Sequence, residues 1–355
     1  MSTQNYRKEF KELLENTIIP EVISEEKRNE KLQPLTKHIW EHIPSKLYRY
    51  RECSERNFDA FYGDKLYAVT SDLFNDPYDC LFRFDKESLF HSILSGLSKD
   101  VIYALREHFR SGGDFPEPLS TFYSKELLTT ARNSIINASD EMIEAYGHQT
   151  DSIKESLINW MEKLTNEAVE VVKKLAFIAC FSEVIHSVTM WSHYADSHKG
   201  FALEYDLRQF QVRCSKCEKL KQCERAFVGN MYPVIYGQHR YDATAFLGWY
   251  IGRSIGVPIG NPDTSAMVKC QLYKSSHWSY EKEWRLVINK MNDCQNKAPV
   301  CVCQIKPTAI YYGSRISSIN KKILHSMAQE KGIKEFQMCI DNKSYNYSIR
   351  YKKNR

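Results

Sequence analysis

Residues 277–288, HWSYEKEWRLVI, set Glu281 and Glu283 one residue apart among aromatic side chains and then run into an apolar/polar alternation. Read at period two, Trp284, Leu286 and Ile288 share one strand face, and Glu281, Glu283, Arg285 and Val287 share the other. Two carboxylates on one face admit two readings. On a solvated sheet, Glu283 and Arg285 form an exposed ion pair, which is common and contributes little. In a cleft, the same pair is a candidate for chemical work rather than for solvation.

Other residues invite the second reading. Arg49 and Arg51 fall on one face of KLYRYR (46–51), and a guanidinium fork matches phosphate oxygens two at a time. In DLFNDPYD (72–79), Pro77 fixes its own φ and pushes Asp76 out of the helical region, so Asn75 and Asp76 mark a turn. His186, His193 and His198 crowd one segment, but His186 and His193 are about 10 Å apart along a helix, too far to share an ion. His193 or His198 either meets a ligand phosphate or packs beside Trp191. CSKCEKLKQC brings Cys214, Cys217 and Cys223 together, yet tetrahedral zinc needs a fourth ligand and only remote candidates, His239 and Cys270, exist. Loop cysteines are the simpler reading there, with zinc as the alternative. IGRSIGVPIGNP (251–262) lacks the strand-to-helix context of a phosphate loop.

The elements that must carry these residues follow from periodicity. Helical spacing over 4–43 predicts an N-terminal helical extension. Strand, helix and strand follow at 46–51, 54–63 and 65–71. Residues 87–174 read as almost wholly helical, an insertion in a sheet domain that spans 46–355. Strands resume at 175–182 and in FALEYD, separated by a short helix in VTMWSHYADSHKG. Further strands are expected at YPVIYG, 277–288, 300–305, 308–312, 335–340 and 346–351, with helices near 242–254, 264–274 and 316–331. The 355 residues are 43% hydrophobic and 26% charged, with a formal charge of +5, which is too mild to argue for nucleic acid by itself. No apolar run approaches the length of a membrane span. The 11 cysteines, without an export signal at the start, read as reduced thiols of a cytoplasmic protein.

LYRYRECSERNFDAFYGDKLYAVTSDLFNDPYD, CFSEVIHSVTMWSHYADSHKGFALEYD and HWSYEKEWRLVI resemble, in order, the signature blocks of a bacterial family catalogued as domain of unknown function 2971. The resemblance covers roughly residues 46–84 and 175–290, and the family name carries no activity. The N-terminal helices, the helical insertion and the Cys214–Cys223 loop depart from that pattern and inherit nothing from it. More faintly, the block order is similar to the ADP-ribosyltransferase superfamily, whose members bind NAD between two small sheets with an early Arg or His, a mid-chain Ser/Thr or Tyr and a late Glu. That resemblance implies an α+β fold with a split or strongly bent, mainly antiparallel sheet, and NAD as substrate. It places Arg49 or Arg51, Ser182 and Glu283 around NAD, with Glu281 serving the acceptor. Tyr50, Tyr67 or Trp191 would stack on a ring, and Ser71, Asn75, Asp76, His193, Tyr194, His198 and Arg285 would complete the wall. The acceptor is left open between protein, nucleic acid and a small molecule, as is the oligomeric state, and a toxin or phage-defence role would suit such a bacterial transferase. On this reading Glu283→Gln removes activity and spares the fold. Two other classes stay open: a magnesium-dependent nuclease using Asp76, Asp79, Glu204 and Glu283, and a non-catalytic sensor whose interaction surface is helices 87–174.

Overall fold

The computed structural model describes residues 5–115, 124–210, 230–254, 263–289, 299–343 and 345–354. Helices α1 (Asn5–Asn16) and α2 (Glu25–His42) precede β1 (Leu47–Arg51), α3 (Glu55–Tyr62) and β2 (Lys65–Ala68). Among the described residues, the stretch before the next strand is helical: α4 (Lys86–Gly96), α5 (Lys99–Arg110), α6 (Lys125–Asn137) and α7 (Asp140–Lys174). The longest, α7, is set by its ends. Ser139 accepts from the Met142 amide, Asp140 and Glu141 face the positive N-terminus, and Lys173 and Lys174 face the negative C-terminus. The rest of the chain supplies β3 (Ala176–Ser182), α8 (Val188–Tyr194), β4 (Phe201–Tyr205), β5 (Met231–Pro233), β6 (Ile235–Gly237), α9 (Thr244–Ser254), α10 (Ala266–Cys270), β7 (Tyr273–Ser275) and β8 (Glu283–Asn289). It ends with β9 (Val300–Gln304), β10 (Ala309–Tyr312), α11 (Ser318–Lys331), β11 (Lys334–Ile340) and β12 (Ile349–Lys353).

An eight-stranded sheet, ordered β12-β11-β10-β4-β1-β3-β8-β5, organises the molecule, and β10 with β11 is its parallel pair. It is therefore large and open, and it is mainly antiparallel as expected. Its centre is where the site forms. β1 and β4 pair from Leu47↔Tyr205 to Arg51↔Phe201, and β3 and β8 pair from Ala176↔Asn289 to Ser182↔Glu283. These two halves meet through β1 and β3 at a single register pair, Tyr48↔Ser182. Beyond it the strands part. Val69, just past β2, exchanges both backbone hydrogen bonds with Ile178, satisfying the edge of β3 that β1 leaves. The Arg49 guanidinium lies in the gap, 5.3 Å from the Phe181 ring centre.

Three apolar clusters hold this arrangement. Phe10, Leu14, Leu35 and Ile39 of α1 and α2 pack with Trp284 and Leu286 of β8 in the main core. Tyr48, Tyr50, Trp191 and Tyr311 form a second, and Phe90, Met161, Val172 and Leu247 join α4, α7 and α9 in a third. Gly200 has a steric reason: a Cβ there would lie 2.0 Å from the carbonyl oxygen of Arg51. No helix among the described residues is long and apolar enough to cross a membrane.

Two local expectations change. The alternation of 277–288 does not run as one strand, because residues Ser276–Glu281 form a 3₁₀ turn and Lys282, at φ 44°, reverses the chain before β8 begins. The helix expected over 264–274 stops at Cys270, and residues 273–275 become β7, paired in parallel with β6.

Candidate functional site: a buried charge cluster at the parting of two strands

Five ionisable side chains meet behind the opening between β1 and β3. Arg285, fully buried in the middle of β8, donates from Nε to Glu283 Oε1 (2.8 Å) and from Nη2 to Glu283 Oε2 (3.1 Å) and Asp79 Oδ2 (2.7 Å). Its Nη1 binds the Gln271 carbonyl at 2.7 Å. Lys274, on β7, reaches Glu281 Oε2 at 2.7 Å, Glu283 Oε2 at 3.0 Å and Asp79 Oδ2 at 3.2 Å. Three carboxylates thus face two cations, leaving one negative charge in excess when every group is ionised. The Glu283–Arg285 ion pair exists, but it is buried rather than solvated, so the weak surface energetics do not apply.

The two glutamates are not equivalent. Burial penalises the Glu283 carboxylate, but Arg285 and Lys274 more than offset that and hold its pKa well below the usual range. Glu281 has one cation and the Tyr194 hydroxyl, which donates to Oε1 at 2.5 Å. Burial dominates there, and with Glu283 close by its pKa is pushed up. Glu283 is therefore the fixed charge, and Glu281 is the carboxyl that can exchange a proton. Burial and the adjacent Glu281 likewise keep the Tyr194 phenol protonated, and burial beside Glu283 keeps the Cys180 thiol protonated.

Glu281, Glu283, Lys274, Asp79 and Tyr194 line a cavity of about 140 Å³ together with Tyr50, Arg51, Asn75, Cys180 and Ser182. It shares the lining residues Tyr50, Arg51, Phe74, Asn75, Cys180 and Tyr194 with an adjoining cavity of about 740 Å³, within the range of small-molecule sites. Arg49, Arg51, Arg56 and Lys65 line the larger cavity. Lys65 pairs with Asp59, whereas Arg49, Arg51 and Arg56 have no carboxylate partner among the described residues. Arg49 donates from Nη2 to the Tyr67 carbonyl at 2.9 Å, and its buried Nε has no hydrogen-bond partner. Burial, with Arg49 beside it, pushes the Arg51 guanidinium down to about 9, so it stays charged at neutral pH. A third cavity of about 570 Å³ opens on the other side of Lys274, lined by Asp76, Tyr78, His239, Trp278 and Tyr280 among others.

The structure thus brings Arg49, Tyr50, Arg51, Asn75, Ser182, Tyr194, Glu281 and Glu283 to the walls of these two adjoining cavities, with His193 and Tyr67 lining the larger. Ser182 is held in place: its hydroxyl donates to the Glu281 carbonyl at 2.6 Å and accepts from the Val184 amide. Other expected residues are elsewhere. Ser71 is buried against the end of α7, bonded to the Lys173 carbonyl, because the chain turns there to enter the helical region. Trp191 is core: its indole donates to the Ile185 carbonyl and its ring meets Tyr50 edge-on, so it has no face left for a ligand. His198, at φ 70°, stacks on Trp191 and bonds Ser192. Arg285 lies behind the cavity wall and acts through Glu283 and Asp79. Asp76 faces the third cavity and caps its own turn through the Tyr78 amide. The carboxylates expected to share magnesium do not converge either. Glu204 is bound by Tyr311, Thr308 and Lys46, and Lys274 already sits between Asp79 and Glu283. Cys214, Cys217 and Cys223 lie outside the described residues.

Sequence reasoning missed Lys274 entirely and took Asp79 only as a metal ligand. One signal was present: read at strand period, Lys274 of LYKSS shares a face with the apolar Leu272, on the opposite side from Tyr273.

These features define an α+β protein with an open, mainly antiparallel sheet and two adjoining cavities, the larger lined by arginines and the smaller by carboxylates. Residues 190–286 match the model of a family described as protein of unknown function (DUF2971). The matched segment carries Tyr194, Lys274, Glu281, Glu283 and Arg285, while β1 and Asp79 lie outside it. No curated protein and no solved structure matches the chain.

Proposed function

We propose that the cleft binds a dinucleotide of the NAD class and breaks its nicotinamide–ribose bond, passing the ADP-ribosyl group to an acceptor or to water. One observation carries the reading. Where β1 and β3 part, two adjoining cavities with shared walls present three arginines that have no carboxylate partner among the described residues and a buried glutamate whose pKa is raised. Guanidinium groups without an internal counter-charge call for an anion, and a pyrophosphate suits their geometry.

The chemistry assigns distinct roles. As the glycosidic bond breaks, the electron pair leaves with neutral nicotinamide and positive charge builds on the ribose. An ionised Glu281, the source of the cluster's excess negative charge, stabilises that charge. The acceptor then forms its bond to the ribose carbon and gives its proton to Glu281, whose raised pKa makes it a better proton acceptor than an ordinary carboxylate. Glu283 serves as a positioning residue, holding Lys274 and thereby Glu281. The third cavity, across Lys274, offers the acceptor an aromatic approach through Trp278 and Tyr280.

Incubating the protein with NAD labelled in its adenylate, with and without bacterial lysate, tests this. Label on a macromolecule supports transfer, and free ADP-ribose supports hydrolysis. NAD that is bound but never consumed in either condition, or nucleic acid degraded with magnesium alone, refutes the reading.

A further inference from the structure

A second group of side chains lies on the far side of β8, among the N-terminal helices. Glu9 of α1 and His38 and His42 of α2 each bring a potential ligand atom within 4.8 Å of the other two. The histidines are four residues apart on one helix, with ring centres 4.3 Å apart.

Their tautomers are set by neighbouring backbone. His38 Nε2 lies 2.9 Å from the Tyr6 carbonyl oxygen, and His42 Nδ1 lies 2.8 Å from that of His38. A carbonyl only accepts, so both of these nitrogens carry hydrogen. That leaves lone pairs on His38 Nδ1 and His42 Nε2. A metal-ligating histidine typically has this second bond, which fixes the ring and makes its lone pair a better donor. Two neutral imidazoles and a carboxylate form a nitrogen-rich set of the kind zinc accepts, with water in the fourth position. Tetrahedral zinc places its ligand atoms about 3.4 Å apart, from bonds of about 2.0–2.1 Å. Exposed Glu9 and half-buried His42 are the two that can close the remaining distance.

We propose that Glu9, His38 and His42 form a binding site for a zinc-class dication that clamps α1 to α2. The clamp would reach the cleft. Tyr6, whose carbonyl orients His38, stacks on His42 and Trp284, and the next residue, Arg7, donates to the Glu283 carbonyl at 3.0 Å and the Val234 carbonyl at 2.7 Å. The inference depends on no part of the NAD reading.

Cobalt(II) titration of the chelator-treated full chain, followed by visible absorption and then displaced with zinc, tests it. One equivalent should bind with the spectrum of nitrogen and oxygen ligands and no thiolate charge-transfer band. His42→Ala should lose that signal, and Glu9→Gln should weaken binding at least about 10-fold while circular dichroism stays unchanged. If His42→Ala does not fold, the Glu9→Gln titration decides alone. No binding, binding with a thiolate band that His42→Ala leaves intact, or undiminished binding by Glu9→Gln would overturn the site.

Discussion

Replacing each cluster glutamate by glutamine separates the two roles. Glu283 sits between Arg285 and Lys274 and accepts three charged hydrogen bonds. Glu283→Gln removes the charge and leaves two buried cations with Asp79 and Glu281 alone. Breaking one side of a buried ion pair costs about 3–5 kcal/mol. With an unfolding entropy of about 2.1 cal/mol/K per residue, the 355-residue chain gains about 0.75 kcal/mol/K, so Tm should fall by about 4–7 °C. Sequence alone predicted a fold-neutral Glu283→Gln; burial reverses that expectation. Glu281→Gln resembles the protonated acid that the site already tolerates, and Lys274 keeps two other carboxylates. Its cost should be about 1 kcal/mol, near 1 °C. Scanning calorimetry of both variants beside the parent measures the difference. Should Glu281→Gln prove the more damaging to stability, the assignment of the fixed charge to Glu283 is wrong.

Other outcomes follow from the same geometry. Because the Glu281 pKa is raised, the folded protein holds a proton there that the unfolded chain gives up near pH 4.5, so this contribution is full below that pH and fades as pH rises. Denaturation midpoints between pH 4.5 and 8 should therefore show Glu281→Gln gaining on the parent as pH rises. Glu283 has the opposite sign: its contribution is present above about pH 4.5 and is lost on acidification. Arg51→Ala should weaken NAD binding about 10- to 150-fold, the equivalent of one charge-assisted hydrogen bond at about 1.5–3 kcal/mol, as read by calorimetric titration. Ser71→Ala, by contrast, should leave NAD affinity within about twofold, since its hydroxyl is spent on Lys173. Gly200→Ala should lower stability by about 2 kcal/mol or more in urea titrations, because its methyl group meets the Arg51 carbonyl.

What could be read in advance was local. LYRYR, AFIACFS and FALEY alternate or run apolar at strand length, and each became a strand. The pairing of Glu281 with Glu283 was also legible by spacing, although the turn at Lys282 was not, since a lysine gives no sign of a positive φ. Residues chosen by type alone fared worse. Trp191 and Ser71 have chemistry to offer, but packing and a helix end claimed them. Lys274 shows the limit most clearly. A lysine on a three-residue strand reads as a solvated tip, and its burial is explained by the three carboxylates the fold gathers on it, Glu281, Glu283 and the distant Asp79.

The bond between Arg285 and Asp79 joins residues 206 positions apart. On a ribosome adding about 5–20 residues per second, Asp79 emerges about 10–40 s before its arginine. The helices of residues 86–174 and the β1–β4 pairing have all their residues before then, and the cluster does not. The cleft thus cannot close until the chain has passed residue 285, well after those elements, and a nascent chain stopped before residue 274 holds Asp79 with neither of its cations.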